Sequence, residues 1–253
     1  MTEDLPRVVV TNDDGVESPG LRKLAVALSS EYDVVLAAPD SDMSGSGTGI
    51  GRFDPDKGVS LDPIELDGMV AFGIPGPPGL AVMAAALGAF GRFPDLVVSG
   101  INAGINTGHS IIHSGTVGAV LTALTFRSKG LAVSLAQSEP WQWDTAVDVA
   151  LSSARWVLAR TGPYALNVNV PGVPIDEVAG IHWADLDEFG SIRVANNAVS
   201  ERKVQFVLGH GAAGADPASD TALCARNYVT MTPISTVEPV PFPDVEATSV
   251  WSR

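Results

Sequence analysis

One cysteine, Cys224, stands in a chain of 253 residues. That excludes an intramolecular disulfide and any multi-cysteine metal site. A lone thiol of this kind reads as a small apolar core residue rather than a reactive one. Basic residues are also scarce: 15 Lys and Arg face 29 Asp and Glu, for a formal net charge of −14. A long nucleic-acid backbone needs a basic footprint and is excluded as a partner. A single phosphate group, held by a metal and main-chain donors, is not. No apolar run approaches the ~18 residues of a membrane span. The acidic start, MTEDLPR, passes straight into a strand and leaves no room for a signal peptide. A cytoplasmic protein with no membrane partner is expected. Three familiar motifs are missing too. No G-x-G-x-x-G follows the first strand, and GSGTGIG (45–51) has the wrong spacing for it. No P-loop and no G-x-S-x-G elbow occurs, so a dinucleotide-binding domain and an α/β-hydrolase nucleophile lack support.

Hydrophobic residues make up 45% of the chain and charged residues 17%, enough for one large domain with a sizeable core. Apolar strands are expected at 7–11, 33–38, 70–74, 95–100, 131–135 and 164–171, with 57–62 a further candidate. Helical periods lie between them. Ser18 and Pro19 read as cap and first turn ahead of Leu21, Leu24, Ala25 and Leu28. Leu80, Met83, Ala84 and Leu87 mark a helix within 77–90, and Val117, Val120, Leu121 and Leu124 another that Ser114 caps. Val147, Ala150, Leu151, Ala154 and Leu158 mark the last, within 142–160. Strands apolar throughout, alternating with amphipathic helices, predict a doubly wound α/β fold, a mostly parallel Rossmann-like sheet covered on both faces. From about 180 the pattern weakens. SIRV (191–194) and KVQFVL (203–208) read as a hairpin, 210–220 as a loop, and YVTMTPI (228–234) as a returning strand. The expected division is an α/β part over 1–185, with the returning strand at about 227–234, and a hairpin with a carboxyl-terminal segment over 186–253. Trp141 and Trp143 read as a packing anchor, and Asp187-Glu188 as a turn.

Three polar clusters follow three of these strands: Asn12-Asp13-Asp14, Asp40 to Ser46, and Asn102 to Asn106. In a parallel sheet the carboxyl ends of the strands share one edge, where ligands bind. An Asp-Asp-Gly turn by itself is ordinarily a solvated turn. Two carboxylates joined by a hydroxyl and an amide oxygen make a hard, all-oxygen ligand set, which suits Mg²⁺, Mn²⁺ or Ca²⁺ and not Zn²⁺. Without a cation the adjacent carboxylates repel, and one pKa rises. HSGTVGAV (113–120) adds a helix start whose open N–H groups and dipole favour an anion. Beside a metal site it reads as a phosphate cradle.

Together these stretches resemble the SurE-type (survival protein E) metal-dependent 5'/3'-nucleotidases. The likeness lies in TNDDG (11–15) with SPGL (18–21), APD (38–40) with SG (44–45), PDLVVSGINAGINTG (94–108) and SGTVGA (114–119). Weaker echoes are NVNVP (167–171) and TPI (232–234). The resemblance implies one divalent metal ion, Mg²⁺ or Mn²⁺ (Ca²⁺ in a crystal), held by Asp13, Asp14, Ser44 and Asn102. It implies phosphate contacts from Asn106, Ser114, Gly115 and Thr116. The implied reaction is hydrolysis of a nucleoside 5'- or 3'-monophosphate by a metal-bound water, with Asp13 or Asp14 taking the water's proton. A homodimer or homotetramer is implied as well, joined through residues 190–226 and exchanged carboxyl-terminal segments.

Two segments depart from the family pattern. Relatives read Gly-Thr-Pro-Ala-Asp-Cys-Val where this chain has GIPGPPGLAV (73–82), so Ile74, Pro77 and Pro78 replace Thr, Asp and Cys. GTGIGRFDP (47–55) stands in place of a Ser/Thr-Leu-Thr run. The metal and phosphate parts match, while the parts expected to shape the organic half of the substrate do not. Two alternatives stay open: the same chemistry on another small phosphate monoester, and a non-catalytic nucleotide-binding or scaffold protein. His113 and His109 are expected to pack rather than to serve as the general acid.

Overall fold

The structure, a computed structural model, describes residues 5–54, 56–188, 190, 192–194, 206–208 and 214–237. Strand β1 (Arg7–Thr11) divides its valines between two cores, Val8 and Val10 on one side and Val9 on the other. A strand dry on both faces belongs in the middle of a covered sheet. That is where β1 lies. On one side it pairs in parallel with β2 (Asp33–Pro39), which pairs in parallel with β4 (Met69–Ile74). On the other it pairs in parallel with β5 (Leu96–Ala103), followed by β6 (Lys129–Leu135) and β7 (Ala165–Val170). The outer strands break the parallel run. β3 (Asp62–Leu66) is antiparallel to β4, and β11 (Tyr228–Ile234) is antiparallel to β7, with β8 (Gly180–Trp183) parallel at its far side. The full order is β3-β4-β2-β1-β5-β6-β7-β11-β8. The strand order therefore reverses at β1, and a sheet of this kind leaves its crevice at the carboxyl end of that strand.

Helices α1 (Pro19–Leu28) and α4 (Trp143–Leu158) cover the Val8 face, and α2 (Pro78–Ala86) and α3 (Gly115–Thr125) cover the Val9 face. The doubly wound expectation holds. α1 buries Leu21, Leu24, Ala25 and Leu28, as its period predicts. Trp141 and Trp143 stack with ring centroids 5.0 Å apart, and Trp143 leans on Gly20 in the first turn of α1. Cys224 is buried, and burial pushes its thiol up to about 12, so no reactive thiolate forms at neutral pH. Among the described residues, no helix is long and apolar enough to cross a membrane.

Other details differ from expectation. α2 ends at Ala86 and leaves Leu87 exposed, while Leu80, Ala81, Val82 and Ala85 are buried. A stretch apolar all round carries no period to orient it. The candidate strand at 57–62 is not formed; β3 starts at Asp62, and Asp67-Gly68, both with positive φ, turns it back as the hairpin partner of β4. Ser18 sits at the N-cap of α1 without capping it, because its Oγ accepts the Asn12 side-chain amide at 2.6 Å. After 180, β8 and a short helix α5 (Asp220–Cys224) add to the expected elements. The expected hairpin is present as an antiparallel pair of β9 (Ile192–Val194) and β10 (Phe206–Leu208). Residues 238–253 of the expected tail lie outside the described residues.

The glycine-rich loop after β2 rests directly on α3. A Cβ on Gly118 would lie 1.9 Å from the Gly47 carbonyl oxygen. Gly118→Ala is therefore expected to cost roughly 1–3 kcal/mol in urea unfolding. A variant as stable as the parent would show that the loop is not seated on this helix.

Candidate active site

The chain leaves β1 at Thr11 and turns at once. Asn12 is fully buried and holds the turn, its Oδ1 accepting the Gly15 N–H at 3.2 Å while its amide reaches Ser18. Asp13 follows, 4% exposed, and then Asp14, half-buried. The loop after β2 is drawn alongside: the Met43 N–H donates to the Asp13 carbonyl and the Val16 N–H to the Pro39 carbonyl, each at 2.8 Å. In that loop Asp42 Oδ1 accepts both the N–H and the hydroxyl of Ser44, at 2.8 and 2.6 Å. A hydroxyl that spends its proton on Asp42 presents only lone pairs to the cleft.

β5 supplies the next group. Its register against β6 shifts between Ser99 and Asn102. Gly100 takes a φ of 140°, and a Cβ there would lie 2.3 Å from the Val133 carbonyl oxygen, so the kink admits glycine alone. Beyond it the Asn102 amide donates to the Gly104 carbonyl at 2.6 Å, and Asn102 Oδ1 lies 3.3 Å from Thr116 Oγ1. Asn106 is clamped from below. Its N–H donates to Asn169 Oδ1 at 2.8 Å, and its carbonyl accepts the amides of Asn167 and Asn169, both at 2.9 Å. Its own amide donates to Ser134 Oγ at 2.9 Å. Ser114 caps α3, accepting the Val117 N–H at 3.2 Å, which leaves its own proton free for a ligand.

Asp13, Asp14, Ser44, Asn102, Asn106 and Ser114 line one cleft of about 500 Å³. The other two expected residues stand behind it. Thr116 is fully buried, and its hydroxyl donates to Asp13. The main-chain N–H groups of Gly115 and Thr116 also hydrogen-bond the Asp13 carboxylate. The helix start expected to face a phosphate thus serves a carboxylate of the protein first. His113, expected to pack, is exposed on the cleft wall, while His109 is exposed in a separate recess beside Asp185.

Burial raises Asp13 above the usual carboxylate range, and its hydrogen-bond donors oppose the rise. Asp14 is pushed up to about 6, by burial first and then by the charge of Asp13, with Asp42 adding to the effect. Among the described residues no Lys or Arg lines the cleft. Carboxylates that converge without a cationic side chain are the setting a divalent cation neutralises. The donor chemistry fits such an ion: two carboxylates, a hydroxyl whose lone pairs are free, and an amide oxygen. Among the described residues no group of three or more His, Cys, Asp or Glu gathers as a metal cluster. The candidate set instead mixes charged with neutral oxygens. Asp42, Ser134, Asn167 and Asn169 were not singled out as site residues from sequence. The signal for the last two was the NVNV alternation, which puts two amides on one face of a strand buried on both sides.

The family described as Survival protein SurE matches residues 8–190. The chain belongs to the SurE family. It is 32% identical over 234 residues to the 5'-nucleotidase SurE of Syntrophobacter fumaroxidans, covering 90% of this chain and 92% of that one. It is 39% identical over 178 residues to the 5'-nucleotidase SurE of Chloroflexus aggregans, covering 69% and 70%. The crystal structure of the SurE protein from Aquifex aeolicus has a TM-score of 0.73 at 26% identity, covering 91% of this chain and 93% of that chain.

The raised Asp14 sets the sign of a stability change. A carboxyl whose folded pKa lies above its unfolded value withdraws stability as pH rises through the folded pKa. In EDTA at pH 7.5, Asp14→Asn is expected to be more stable than the parent by about 1–2 kcal/mol in urea unfolding. The gain should fade as pH falls through about 6 towards 4. A variant no more stable than the parent at pH 7.5 would contradict the upward shift of Asp14.

Proposed function

We propose that the chain is a metal-dependent phosphomonoesterase hydrolysing nucleoside 5'- or 3'-monophosphates. The observation that carries this reading is the meeting of Asp13, Asp14, Ser44 and Asn102 with Asn106 and Ser114 in one cleft at the strand-order reversal. The names of its relatives, 5'-nucleotidase SurE, support it. Asp13, Asp14, Ser44 and Asn102 would hold one Mg²⁺ or Mn²⁺. When bound, such an ion supplies Lewis acidity to a phosphoryl oxygen and makes a water easier to deprotonate.

The chain's own residues do the rest. Thr116 and the N–H groups of Gly115 and Thr116 fix one carboxylate, Asp13, in place, so it needs no reorganisation as charge shifts. Asp13 and Asp14 are the carboxylates in the cleft lining, and one of them takes the proton of the attacking water at a carboxylate oxygen. The free hydroxyl proton of Ser114 and the second amide proton of Asn106 hold the equatorial phosphoryl oxygens. Gly115 and Thr116 act on the phosphate through Asp13 and the dipole of α3. The same reading assigns 1–185, with β11, to catalysis in the cytoplasm. It assigns 186–253, where β9 and β10 pair apart from the main sheet, to assembly as a homodimer or homotetramer.

A second reading keeps the chemistry and changes the organic group. The two segments that depart from the family pattern pack on each other: a Cβ on Gly79 would lie 3.0 Å from the Gly49 carbonyl oxygen, and one on Gly51 3.0 Å from Pro77 Cδ. They form a single altered structural unit, and another small phosphate monoester is the substrate it would favour.

A panel of 5'- and 3'-nucleotides, sugar phosphates and p-nitrophenyl phosphate, each with EDTA, Mg²⁺ or Mn²⁺, separates the readings. Metal-dependent turnover led by nucleotides is expected; turnover of the generic ester with indifference to nucleotides would favour the second reading, and silence with every metal a binding protein. Asp13→Asn and Asp14→Asn should each cut kcat/KM by at least roughly a hundredfold with the fold retained. Turnover within tenfold of the parent would sink the assignment. Ser114→Ala should weaken inorganic phosphate binding, by calorimetry, while leaving Mn²⁺ affinity in place. Loss of both together would mean the two half-sites are not separable.

A further inference from the structure

The loop that carries Asn106 is fixed at its far end by a carboxylate outside the cleft. Residues 107–109 cross Asp187 and Gly190, backbone against backbone. A Cβ on Gly108 would lie 2.4 Å from Gly190 Cα, and one on Gly190 2.2 Å from the Thr107 carbonyl oxygen. Asp220, the first residue of α5 and fully buried, ties the crossing together. Its Oδ2 accepts the Gly108 N–H at 2.9 Å, and its Oδ1 accepts the N–H groups of Asp187 at 3.0 Å and Thr221 at 2.8 Å. Around it the Thr221 hydroxyl donates to Thr107 Oγ1, and the His109 N–H to the Asp187 carbonyl, both at 2.9 Å. Three main-chain donors at one buried point need a side chain that accepts on both of its oxygens. A carboxylate does so, and a donor left unpaired there would be costly.

Resting on the nucleotidase reading, we infer that Asp220 is a positioning residue for the phosphate half of the site. It acts through the main chain. By holding Gly108 it fixes the path of 106–108, and with it Asn106 and Ser110, which both line the cleft. Ser110 is tied to the same segment, its hydroxyl donating to the Thr107 carbonyl at 2.9 Å. The asparagines of β7 hold Asn106 from one side and Asp220 holds the loop two residues later, so the segment is fixed at both ends. Of the metal half, Asp13, Asp14 and Ser44 follow β1 and β2, and Asn102 lies within β5, so none of them sits in this segment. Gly190 lies just ahead of β9, so the clamp also ties the base of the β9–β10 ribbon to the phosphate loop.

Asp220→Asn breaks this link selectively. An asparagine keeps one accepting oxygen for Asp187 and Thr221 and turns its NH₂ on the Gly108 N–H, donor against donor. Three quantities decide the matter on the full chain: KM for a monophosphate that the wild type hydrolyses, the Kd of inorganic phosphate for the Mn²⁺-loaded protein, and the Kd of Mn²⁺ itself. KM and the phosphate Kd should rise at least roughly fivefold while the Mn²⁺ Kd stays within about twofold of wild type. Unchanged phosphate affinity, or phosphate and Mn²⁺ affinities falling together, would overturn the inference. Should Asp220→Asn not fold, Thr107→Val removes only the hydroxyl pair with Thr221. A rise of roughly twofold or more in phosphate Kd at constant Mn²⁺ affinity is then expected, and no rise would overturn the inference. A wild type that binds phosphate without hydrolysing any monophosphate would sink the nucleotidase reading, while the phosphate constants still decide the role of Asp220. A wild type that does neither sinks both.

Discussion

Asp13, buried, and Asp14, half-buried, are held side by side at the end of a central strand, and among the described residues no Lys or Arg lines their cleft. Burial first, and then the charge of Asp13, push Asp14 up to about 6. A fold does not keep such a pair by default. Here Asn12 closes the turn that presents them, Thr116 and the first N–H groups of α3 bind Asp13, and the valines of β1 bury the strand that ends there. The cost in stability and the capacity to neutralise a cation are the same arrangement seen from two sides.

The remaining groups reach that point because loops from different strands are tied to one another through main-chain atoms. Met43 is bonded to Asp13, Gly47 to the His113 carbonyl at 3.1 Å, and Gly104 to the Leu135 carbonyl at 2.9 Å. Glycines make the approach possible at Gly118, where a side chain would enter the Gly47 carbonyl. Loops fixed in this way hold their side chains ready before a ligand arrives, which is what electrostatic catalysis demands. Two halves emerge. One, from β1, β2 and β5, gathers hard oxygens. The other, from 104–114, brings Asn106 and Ser114 to the cleft, the residues proposed to hold the phosphate.

Most of this framework was legible in the sequence. β1, β2, β5, β6 and β7 are rich in apolar residues and bounded by turn residues, and α1 has a clean period, so these elements fell where expected. α2 did not, because a helix apolar on every side has no periodic signal to say which face is buried. β3 was misplaced because its edge position leaves charged residues along it, while the Asp67-Gly68 turn marked its end. The residues of the cleft were legible because polar clusters directly followed confident strands. The direction of Thr116 was not. A Ser-Gly-Thr helix start looks the same whether its N–H groups meet a ligand or a carboxylate of the protein. Asp220 was invisible for a different reason, since it meets Gly108 across 112 positions of sequence.

The oxygens of Asp13, Asp14, Ser44 and Asn102 are proposed to form one divalent-cation site. Anomalous diffraction from crystals grown with Mn²⁺ tests it most directly. One peak per chain, touching both carboxylates together with Ser44 Oγ and Asn102 Oδ1, is the predicted result. A peak elsewhere, or none in the cleft at saturating Mn²⁺, would contradict the account at its root.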